Sequence, residues 1–391
     1  MSEAFIVAAA RTAGGRRGGA LAGWHPVDMA GAILTELVRR VDMDPAQIDD
    51  VIMGCVGQAG EQSQQIGRSA VLASVLPQTV PAVTIDRQCG SSQQAVQFAA
   101  QAVMSGTQDI VIAAGVESMS RVPMGLPTWL PAKSGIGEGP WPPSVLDQYG
   151  VREFNQFVGA EKVAEKYGLS RDELDGYALE SHRRAAKATQ DGAFEGEILP
   201  LAIVGEDGAT HTHDTDEGIR FNASLEQISS VDPILEGGMV SAASASQMCD
   251  GASGVMVVSE RAVRDHGFTP LARIHAFSVT AGDPVIMLDE PVPATRKVFE
   301  RAAMEMKDID LFEVNEAFAP VPLGWIRAME ADPDKVNCLG GGIALGHPLG
   351  ATGTKLMTTL VYALRNRRLR WGLQTMCEGG GVANATIIEA L

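Results

Sequence analysis

The sequence predicts an α/β protein built from two similar halves, and three observations lead to this prediction. Short apolar runs typical of buried strands alternate along the chain with longer segments that have the pattern of packed helices. Hydrophobic residues make up 45% of the 391 residues, aromatic residues only 5%, and 43 glycines are present, which favours cores of small aliphatic side chains joined by tight turns. Two stretches, 48–54 and 309–315, share an Ile-Asp entry into an apolar strand, which indicates an internal repeat.

The first half opens on a predicted strand over 4–10, followed by a glycine-rich turn over 14–19. This turn lacks the spacing of a phosphate-binding loop, so we interpret it as a backbone turn rather than a nucleotide site. A crossover helix with Asp28 as its candidate cap is predicted to end near Arg40, where basic residues suit a helix C-terminus. It leads into the strand at 48–54.

The stretch 83–104 has the pattern of a strand, a sharp turn that carries Cys89, and an apolar helix over 95–104. A helix N-terminus carries a partial positive charge, which favours a thiolate and predicts a lowered pKa for Cys89. A buried structural cysteine is the alternative interpretation, and this stretch alone does not decide between them. Another strand is predicted over 109–115.

A stretch whose amino-acid composition differs from that of the two halves lies between them. It is rich in proline and glycine at first, then charged and helical with a capped helix start at 169–173, and then looped. We interpret it as an insertion, after which a strand over 251–258 closes the first half. The predicted division is an N-terminal half of residues 1–117 and 248–266, an inserted domain of residues 118–247, and a C-terminal half of residues 267–391.

The second half repeats the order of the first. After the strand at 309–315 come the segment 336–338, a glycine-rich turn over 340–353, an apolar segment over 356–364 and a strand over 372–377. We expect two sheets with crossover helices, joined face to face.

Charge and cysteine content exclude several classes of protein. The formal net charge of -17 argues against nucleic acid or an anionic membrane as the main partner. The five cysteines (Cys55, Cys89, Cys249, Cys338 and Cys377) are odd in number and widely spaced, which favours a reduced, cytoplasmic protein over a disulfide framework or a metal site. We see no targeting or membrane-spanning segment, and we expect the neighbouring His211 and His213 to be solvent-exposed rather than metal ligands.

Polar, reactive side chains stand where the strands of the second half should end. Asn315, His347 and Cys377 each follow or close a predicted strand or glycine turn, and α/β proteins place their sites at such ends. Together with Cys89 they offer a nucleophile, a base that can form its thiolate, and a second thiol able to exchange a proton.

Four short segments of the chain resemble, in their order and at their separations, the four active-site loops of the thiolases. They are Cys89-Gly90-Ser91, Asn315-Glu316-Ala317-Phe318, Gly346-His347-Pro348 and Cys377-Glu378-Gly379. The resemblance covers the whole chain and is closest to the degradative 3-ketoacyl-CoA thiolases, while residues 86–94 are most similar to actinobacterial enzymes of steroid breakdown. It implies a thiolase-like fold, with two similar α/β halves packed together and an inserted loop domain.

The resemblance also implies a two-step acyl transfer. The Cys89 thiolate attacks the 3-keto carbon of a 3-ketoacyl-CoA with His347 as base, and the shortened acyl group stays on Cys89 as a thioester. Cys377 protonates the departing acetyl-CoA carbanion and then acts as base for free CoA. Two oxyanion sites are implied, one from His347 with a water held by Asn315, the other from the amides of Cys89 and Gly379. CoA is thus a co-substrate, with no permanent cofactor and no metal.

The inserted segment is implied to hold CoA. The positions that match family contacts to CoA or substrate are Arg220, Ser246, Met287, Ala317 and Phe318. Of these, Arg220 corresponds to the nucleotide end and Ser246 to the pantetheine arm. An arginine placed locally would let an acidic protein bind an anionic ligand. We interpret Glu316 as a structural partner of its loop rather than as a general acid.

One departure from the family bears on the substrate. Residues Asn155-Gln156-Phe157 stand where acetoacetyl-CoA enzymes have a His-Met-Gly sequence that lines the acyl pocket. Selectivity for short acyl chains is therefore not expected, and a bulky or medium-length 3-ketoacyl-CoA is the predicted substrate, in fatty-acid or steroid catabolism.

Other functions remain open from the sequence. An acetoacetyl-CoA thiolase working in the condensing direction is one alternative. A decarboxylating condensing enzyme shares the fold and the cysteine but usually pairs it with two histidines. A noncatalytic lipid carrier or scaffold on this fold is expected to lose part of the constellation. In each case we expect a homodimer or homotetramer without nucleic-acid or membrane partners.

Overall fold

The computed structural model describes residues 3–205 and 208–391. Its first part carries eight elements in chain order: β1 (Ala4–Thr12), β2 (Gly15–Arg16), α1 (Pro26–Val41), β3 (Asp50–Gly54), α2 (Ile66–Leu72), β4 (Ala82–Ile85), α3 (Ser91–Ser105) and β5 (Ile110–Ser118). The cap of α1 is His25, whose side chain accepts from the Val27 amide, so the prediction of Asp28 was wrong. Pro26 occupies the first turn, where its missing N–H costs nothing.

The segment after β5 is mostly helical at first and then forms short strands. It contains α4 (Leu126–Lys133), α5 (Pro143–Tyr149), α6 (Gln156–Lys166), α7 (Arg171–Gln190), β6 (Ile198–Leu199), β7 (Leu201–Val204), β8 (Thr210–His213) and α8 (Leu225–Ser229). The predicted capped helix start is confirmed, because Ser170 and Glu173 form a reciprocal capping box at the start of α7.

The remaining elements complete both halves. They are β9 (Cys249–Ser259), α9 (Glu260–His266), β10 (Ala272–Ala281), α10 (Pro291–Ala302), β11 (Leu311–Val314), α11 (Pro320–Met329), α12 (Gly342–Leu345), α13 (Thr352–Arg367), β12 (Trp371–Glu378) and β13 (Val382–Ala390). Short 3-10 helices lie at Pro45–Gln47, Gly60–Gln62, Met306–Asp308, Pro333–Lys335 and Leu349–Ala351. The sequence did not predict β10 or β13, since their small and polar residues lack the apolar run of a buried strand.

The strand order displays the internal repeat directly. The main sheet runs β11-β12-β13-β10-β1-β9-β5-β3-β4. From β1 outward the pairings are antiparallel to β9, antiparallel to β5 and parallel to β3; from β10 outward the same three relations hold for β13, β12 and β11. The α/β fold class with two similar halves is thereby confirmed.

The two halves meet both at an edge and through helices. Strands β1 and β10 pair over three residues, so the two predicted sheets are hydrogen-bonded into one. Helices α3 and α13 pack on each other and against strands of both halves. Gln93 and Gln97 of α3 donate to Gln374 and Thr386 of the second half, which explains why α3 begins at Ser91, before its apolar run. No helix within 3–205 and 208–391 is long and apolar enough to cross a membrane.

Candidate active site

Cys89 lies in a tight turn between β4 and α3. Gln88 adopts left-handed backbone angles (φ 48°), and Gly90 caps the helix. The Ser91 hydroxyl locks the turn, because it donates to the Gln88 carbonyl at 2.6 Å and accepts from the Arg87 amide at 2.8 Å. Cys89 is half-buried at the tip.

The pKa of Cys89 departs from the sequence prediction. Burial of the thiol, followed by the neighbouring Glu378 carboxyl, raises the pKa to about 12, whereas the position before a helix predicted a lowered pKa. The prediction was wrong because loss of solvation outweighs the partial charge of a helix end. The resting residue is therefore a neutral thiol, and attack requires a base to take its proton.

Cys377 is fully buried near the end of β12, close to Cys89. Burial raises the pKa of Cys377. A negative charge on Cys89 would raise it further, because the two sulfur groups are neighbours. Strand β12 ends at Glu378, and a β-carbon on Gly379 would lie 3.0 Å from the side-chain oxygen of Gln88. The Gly379 turn and the Cys89 turn thus abut, and both thiols are protonated at rest.

His347 is held as a neutral base. Its Nδ1 lies 2.5 Å from Thr352 Oγ1, and because that hydroxyl donates to the Pro348 carbonyl at 2.8 Å, Nδ1 must be the proton donor. Nε2 is then the acceptor, and it faces the Asn315 side-chain nitrogen at 3.3 Å. Burial first, and then the charge of Lys355, lowers the pKa of His347 to about 3. The ring is neutral at physiological pH with its free lone pair on Nε2.

Two hydrogen-bonded contacts bring these loops to one place. The backbone amide of Asn315 donates to the Thr375 carbonyl at 3.1 Å, so Asn315, directly after β11, lies beside the end of β12. The Thr354 amide of α13 donates to the Ser92 hydroxyl of α3 at 2.9 Å. A β-carbon on Gly353 would lie 2.0 Å from a backbone nitrogen of α3, so glycine is required for this approach. Because α3 follows Cys89 and α13 follows His347, their joined N-termini place both turns at the same edge.

The segment 244–247 fastens two of the loops by backbone hydrogen bonds. The Ser246 amide donates to the Ala317 carbonyl at 2.9 Å, and the His347 amide donates to the Gln247 carbonyl at 3.0 Å. Ser246 is half-buried and Ala317 is buried. Sequence reasoning missed Gln247 and Thr352 as residues that support His347. The position of Thr352 shortly after His347, near the end of the glycine-rich turn, was the available signal for Thr352.

Glu316 is saturated with hydrogen bonds. Its two carboxylate oxygens accept from Tyr177 (2.9 Å), Ser181 (2.6 Å), Asn337 (3.2 Å) and the Ile343 amide (3.1 Å). A carboxylate with four donors is fixed in place and braces the loop that follows β11.

The structure divides the five predicted contact residues into two groups. Phe318 is buried against Phe157 in an edge-to-face pair with ring centroids 5.6 Å apart, and Met287 (φ 55°) belongs to the same apolar cluster. Arg220 lies exposed, and its amide donates to His182 at 3.2 Å. Ser246 and Ala317 join the Phe318 group, while Arg220 stands apart at the surface.

The structure adds detail to the interpretation of residues 155–157 and corrects that of His213. Asn155 is the cap of α6, since its side-chain oxygen accepts from the Phe157 and Val158 amides at 2.9 and 3.3 Å. Of the tripeptide 155–157, Phe157 is the residue that reaches Phe318. His213 is buried with Nε2 3.3 Å from the Ala13 carbonyl, so the expectation of exposure was wrong for it. Within the described ranges no group of three or more His, Cys, Asp or Glu side chains is placed to hold a metal ion.

Two neutral thiols and a neutral imidazole brought to one edge of an α/β fold, from the Cys89 turn, the end of β12 and the His347 turn, are the groups that acyl transfer through a cysteine thioester requires. Family models of the thiolase N-terminal domain and the thiolase C-terminal domain match residues 4–261 and 268–390. The chain belongs to the thiolase family.

Relatives agree with this assignment over the full length. The chain is 51% identical over 393 aligned residues to steroid 3-ketoacyl-CoA thiolase FadA6 of Mycobacterium tuberculosis, with 100% of this chain and 95% of the relative covered. It is 41% identical to a β-ketoadipyl-CoA thiolase of Escherichia coli, with both chains fully covered. The crystal structure of the Bacillus anthracis acetyl-CoA acetyltransferase superposes with a TM-score of 0.91 at 36% identity, covering 100% of this chain and 99% of the other.

Proposed function

We propose that this thiolase cleaves a 3-ketoacyl-CoA with free CoA, yielding acetyl-CoA and a shortened acyl-CoA, with Cys89 as the nucleophile. The observation that carries the proposal is the pairing of a half-exposed Cys89 with a fully buried Cys377 at the edge where His347 presents an unprotonated Nε2. Of the two cysteine residues only Cys89 has solvent-exposed surface, and the histidine is neutral with an unprotonated nitrogen.

In the first step, His347 takes the Cys89 proton and the sulfur attacks the 3-keto carbon. The bond between the second and third carbons then breaks, and its electron pair goes to the second carbon of the departing acetyl-CoA. Cys377 gives its proton to that carbon. Burial raises the pKa of Cys377, which means that its proton is present when the carbanion forms.

In the second step, the Cys377 thiolate takes the proton of free CoA, whose sulfur attacks the Cys89 thioester. The tetrahedral intermediate collapses to the new acyl-CoA, and the Cys89 thiolate regains the proton stored on His347. Over the two steps the Cys89 proton returns from His347, and the proton that Cys377 gives to acetyl-CoA is replaced from free CoA. The His347 cation and the Cys377 thiolate form in the first step and are both neutralised in the second, so a buried site tolerates them because opposite charges appear together and its net charge does not change.

Oxyanion stabilisation is assigned to backbone and amide donors. The Asn315 side chain faces His347 Nε2 at 3.3 Å, which suits a shared water at the thioester oxygen. The Cys89 and Gly379 amides belong to abutting turns, a suitable arrangement for the oxyanion of the acyl-enzyme. Loss of one such donor costs about 3 kcal/mol of transition-state stabilisation.

CoA is assigned to the face formed by Ser246, Ala317 and the Phe318 cluster, with Arg220 at the outer end. Arg220 is exposed, so its guanidinium is accessible to a phosphate, and its backbone is anchored on His182. Met287 and Phe318 supply an apolar wall. CoA acts as co-substrate, and no permanently bound cofactor enters the reaction.

The acyl group is proposed to be bulky, with a role in steroid or fatty-acid breakdown. The relative with 51% identity is named a steroid 3-ketoacyl-CoA thiolase. In addition, Phe157 packs edge-to-face on Phe318 and belongs to the tripeptide 155–157 that departs from the His-Met-Gly sequence of the acetoacetyl-CoA enzymes. We further propose a reduced, cytoplasmic homodimer or homotetramer, consistent with five cysteines that are all unpaired.

Two experiments test the function. Incubation with a 3-ketoacyl-CoA in the absence of free CoA should add the shortened acyl mass to the peptide that contains Cys89; acylation at Cys377 would reverse the assignment. With free CoA present, kcat/KM for a bulky 3-ketoacyl-CoA should exceed that for acetoacetyl-CoA by more than about tenfold. Equal or better turnover of acetoacetyl-CoA moves the enzyme to the acetyl-transferring branch.

A further inference from the structure

Four charged side chains form a fully buried cluster beside the His347 loop. Arg11 comes from β1, Glu197 and Asp216 from the segment between β5 and β9, and Lys355 from α13; each is at most 3% exposed. The cluster therefore joins three separate stretches of the chain. Two cations and two carboxylates balance in charge, which makes their burial tolerable.

Asp216 is the centre of this cluster. Its Oδ1 accepts from Arg11 at 2.9 Å, from the Gly14 amide at 2.7 Å and from Lys355 at 3.3 Å. Burial alone would raise its pKa, but the charges of Arg11 and Lys355 lower it to about 2. Asp216 is thus ionised, and it fixes the ammonium group of Lys355 in one place.

Lys355 reaches from this anchor to the backbone that leads into His347. Its Nζ donates to the Leu345 carbonyl at 2.5 Å and lies 3.5 Å from the Gly346 carbonyl. Gly346 has left-handed backbone angles (φ 80°), and a β-carbon there would lie 2.6 Å from Cys249 Sγ. The loop therefore leaves no room for a side chain at position 346. Lys355 holds the Leu345 and Gly346 carbonyls, which directly precede His347.

We propose that Lys355 is a positioning residue for His347, which clamps the loop carbonyls and presents a fixed positive charge that keeps the imidazole unprotonated. This inference rests on the proposed role of His347 as the base. The titratable groups packed around the loop are Lys355 and Asp216 on one side, Cys249 under Gly346, Glu117 on the Gly350 amide, and Cys89 and Cys377 across the site. Among them, Lys355 is the group whose charge lowers the pKa of His347.

The test compares Lys355→Met, which removes the charge, with Lys355→Arg, which keeps it. For each variant, kcat and KM are measured across pH together with thermal unfolding. We expect K355M to lower kcat by up to about a hundredfold, as for a displaced catalytic group, with a smaller change in KM. Its acidic limb should move to higher pH, because without the cation His347 protonates more readily. K355R should keep the wild-type acidic limb.

Lys297→Met is the matched control, because Lys297 also donates to a backbone carbonyl, that of Val279 at 2.9 Å, but lies on α10. The double variant D216N/K355M removes one charge of each sign and preserves the balance of the cluster if K355M alone does not fold. A folded charge-removing variant with an unmoved acidic limb and kcat within about twofold of wild type overturns the proposal.

If neither charge-removing variant folds, K355R decides the question: an acidic limb that moves to higher pH although the positive charge is kept overturns the proposal. These outcomes remain separate from failure of the proposed function. That failure appears in the wild-type protein as the absence of an acyl group on Cys89.

Discussion

The Cys89 turn of the first half and the Cys338 turn of the second half have the same local geometry and different surroundings. In each, a residue with left-handed backbone angles (φ 48° at both Gln88 and Asn337) precedes the cysteine. Each turn also follows a stretch that pairs in parallel with the equivalent strand, β4 with β3 and Val336 with Phe312 of β11. The repeat therefore placed a cysteine at the same position twice.

The difference lies in what comes next along the chain and across the interface. After Cys89, α3 begins within two residues, whereas residues 339–351 separate Cys338 from α13 and carry His347. Burial, and then Glu313, raises the pKa of Cys338 to about 11; Cys89 instead adjoins a second thiol. In the proposed mechanism a cysteine in this turn is not sufficient for nucleophilic attack, because the base and the proton donor come from the other half.

The largest expected difference between the two turns is in turnover. Cys89→Ala should reduce kcat/KM by about 10⁴-fold or more, since the covalent route is lost, while Cys338→Ala should stay close to wild type. Steady-state thiolysis of both variants, with circular dichroism to check folding, measures this. Comparable losses in both would mean that the Cys338 turn also serves the chemistry.

Cys377→Ala tests the two chemical roles that the proposed mechanism assigns to the two thiols. Loss of a positioned proton donor and acceptor should lower kcat by about 10² to 10⁴-fold, while Cys89 remains able to attack. Single-turnover mixing without free CoA should detect slow acylation of Cys89. No acylation at all would indicate that Cys377 is needed to form the nucleophile.

The two left-handed residues are held by different means, which stability measurements can separate. The Asn337 side chain exchanges two hydrogen bonds with Val314, both at 2.8 Å, and donates to Tyr177 at 2.9 Å. Asn337→Ala should therefore cost up to about 3 kcal/mol of unfolding free energy. Gln88→Asn keeps a residue that tolerates φ > 0 and should change it by less than about 1 kcal/mol. Urea denaturation of both gives the comparison, and equal losses would contradict it.

Residues 339–351, the His347 loop that only the second half carries, should also affect the free energy of unfolding at acidic pH. The pKa of His347 is lowered to about 3 in the folded protein, so between pH 3 and its unfolded value of about 6.5 the unfolded chain binds more protons and stability falls as pH falls. His347→Gln should therefore lose about 2 kcal/mol less than wild type between pH 7 and pH 5.

Urea unfolding at the two pH values measures this slope, with His266→Gln, at an exposed histidine, as the matched control. Part of the slope should persist in His347→Gln, because burial also lowers the pKa of His182 to about 4. An unchanged slope would mean that His347 is already charged in the folded protein.

Much of the fold was predictable where local signals agreed. The strand runs of the two repeats and the Ser170 capping box each contain their own evidence within a few residues. Strands β10 and β13 were not predictable, because each is stabilised by pairing with the other, about a hundred residues apart, and their small, polar side chains give no apolar run.

For this protein, sequence alone determined the chemistry available: one turn with Cys89, and the three later segments with Asn315, His347 and Cys377. Only the tertiary structure decided how these groups are charged. Burial raises the pKa of both thiols and lowers that of the imidazole, and burial depends on side chains distant in the chain. The Lys355 cluster is the plainest instance, since its four charges come from three separate stretches and acquire a role only when packing brings them within hydrogen-bonding distance.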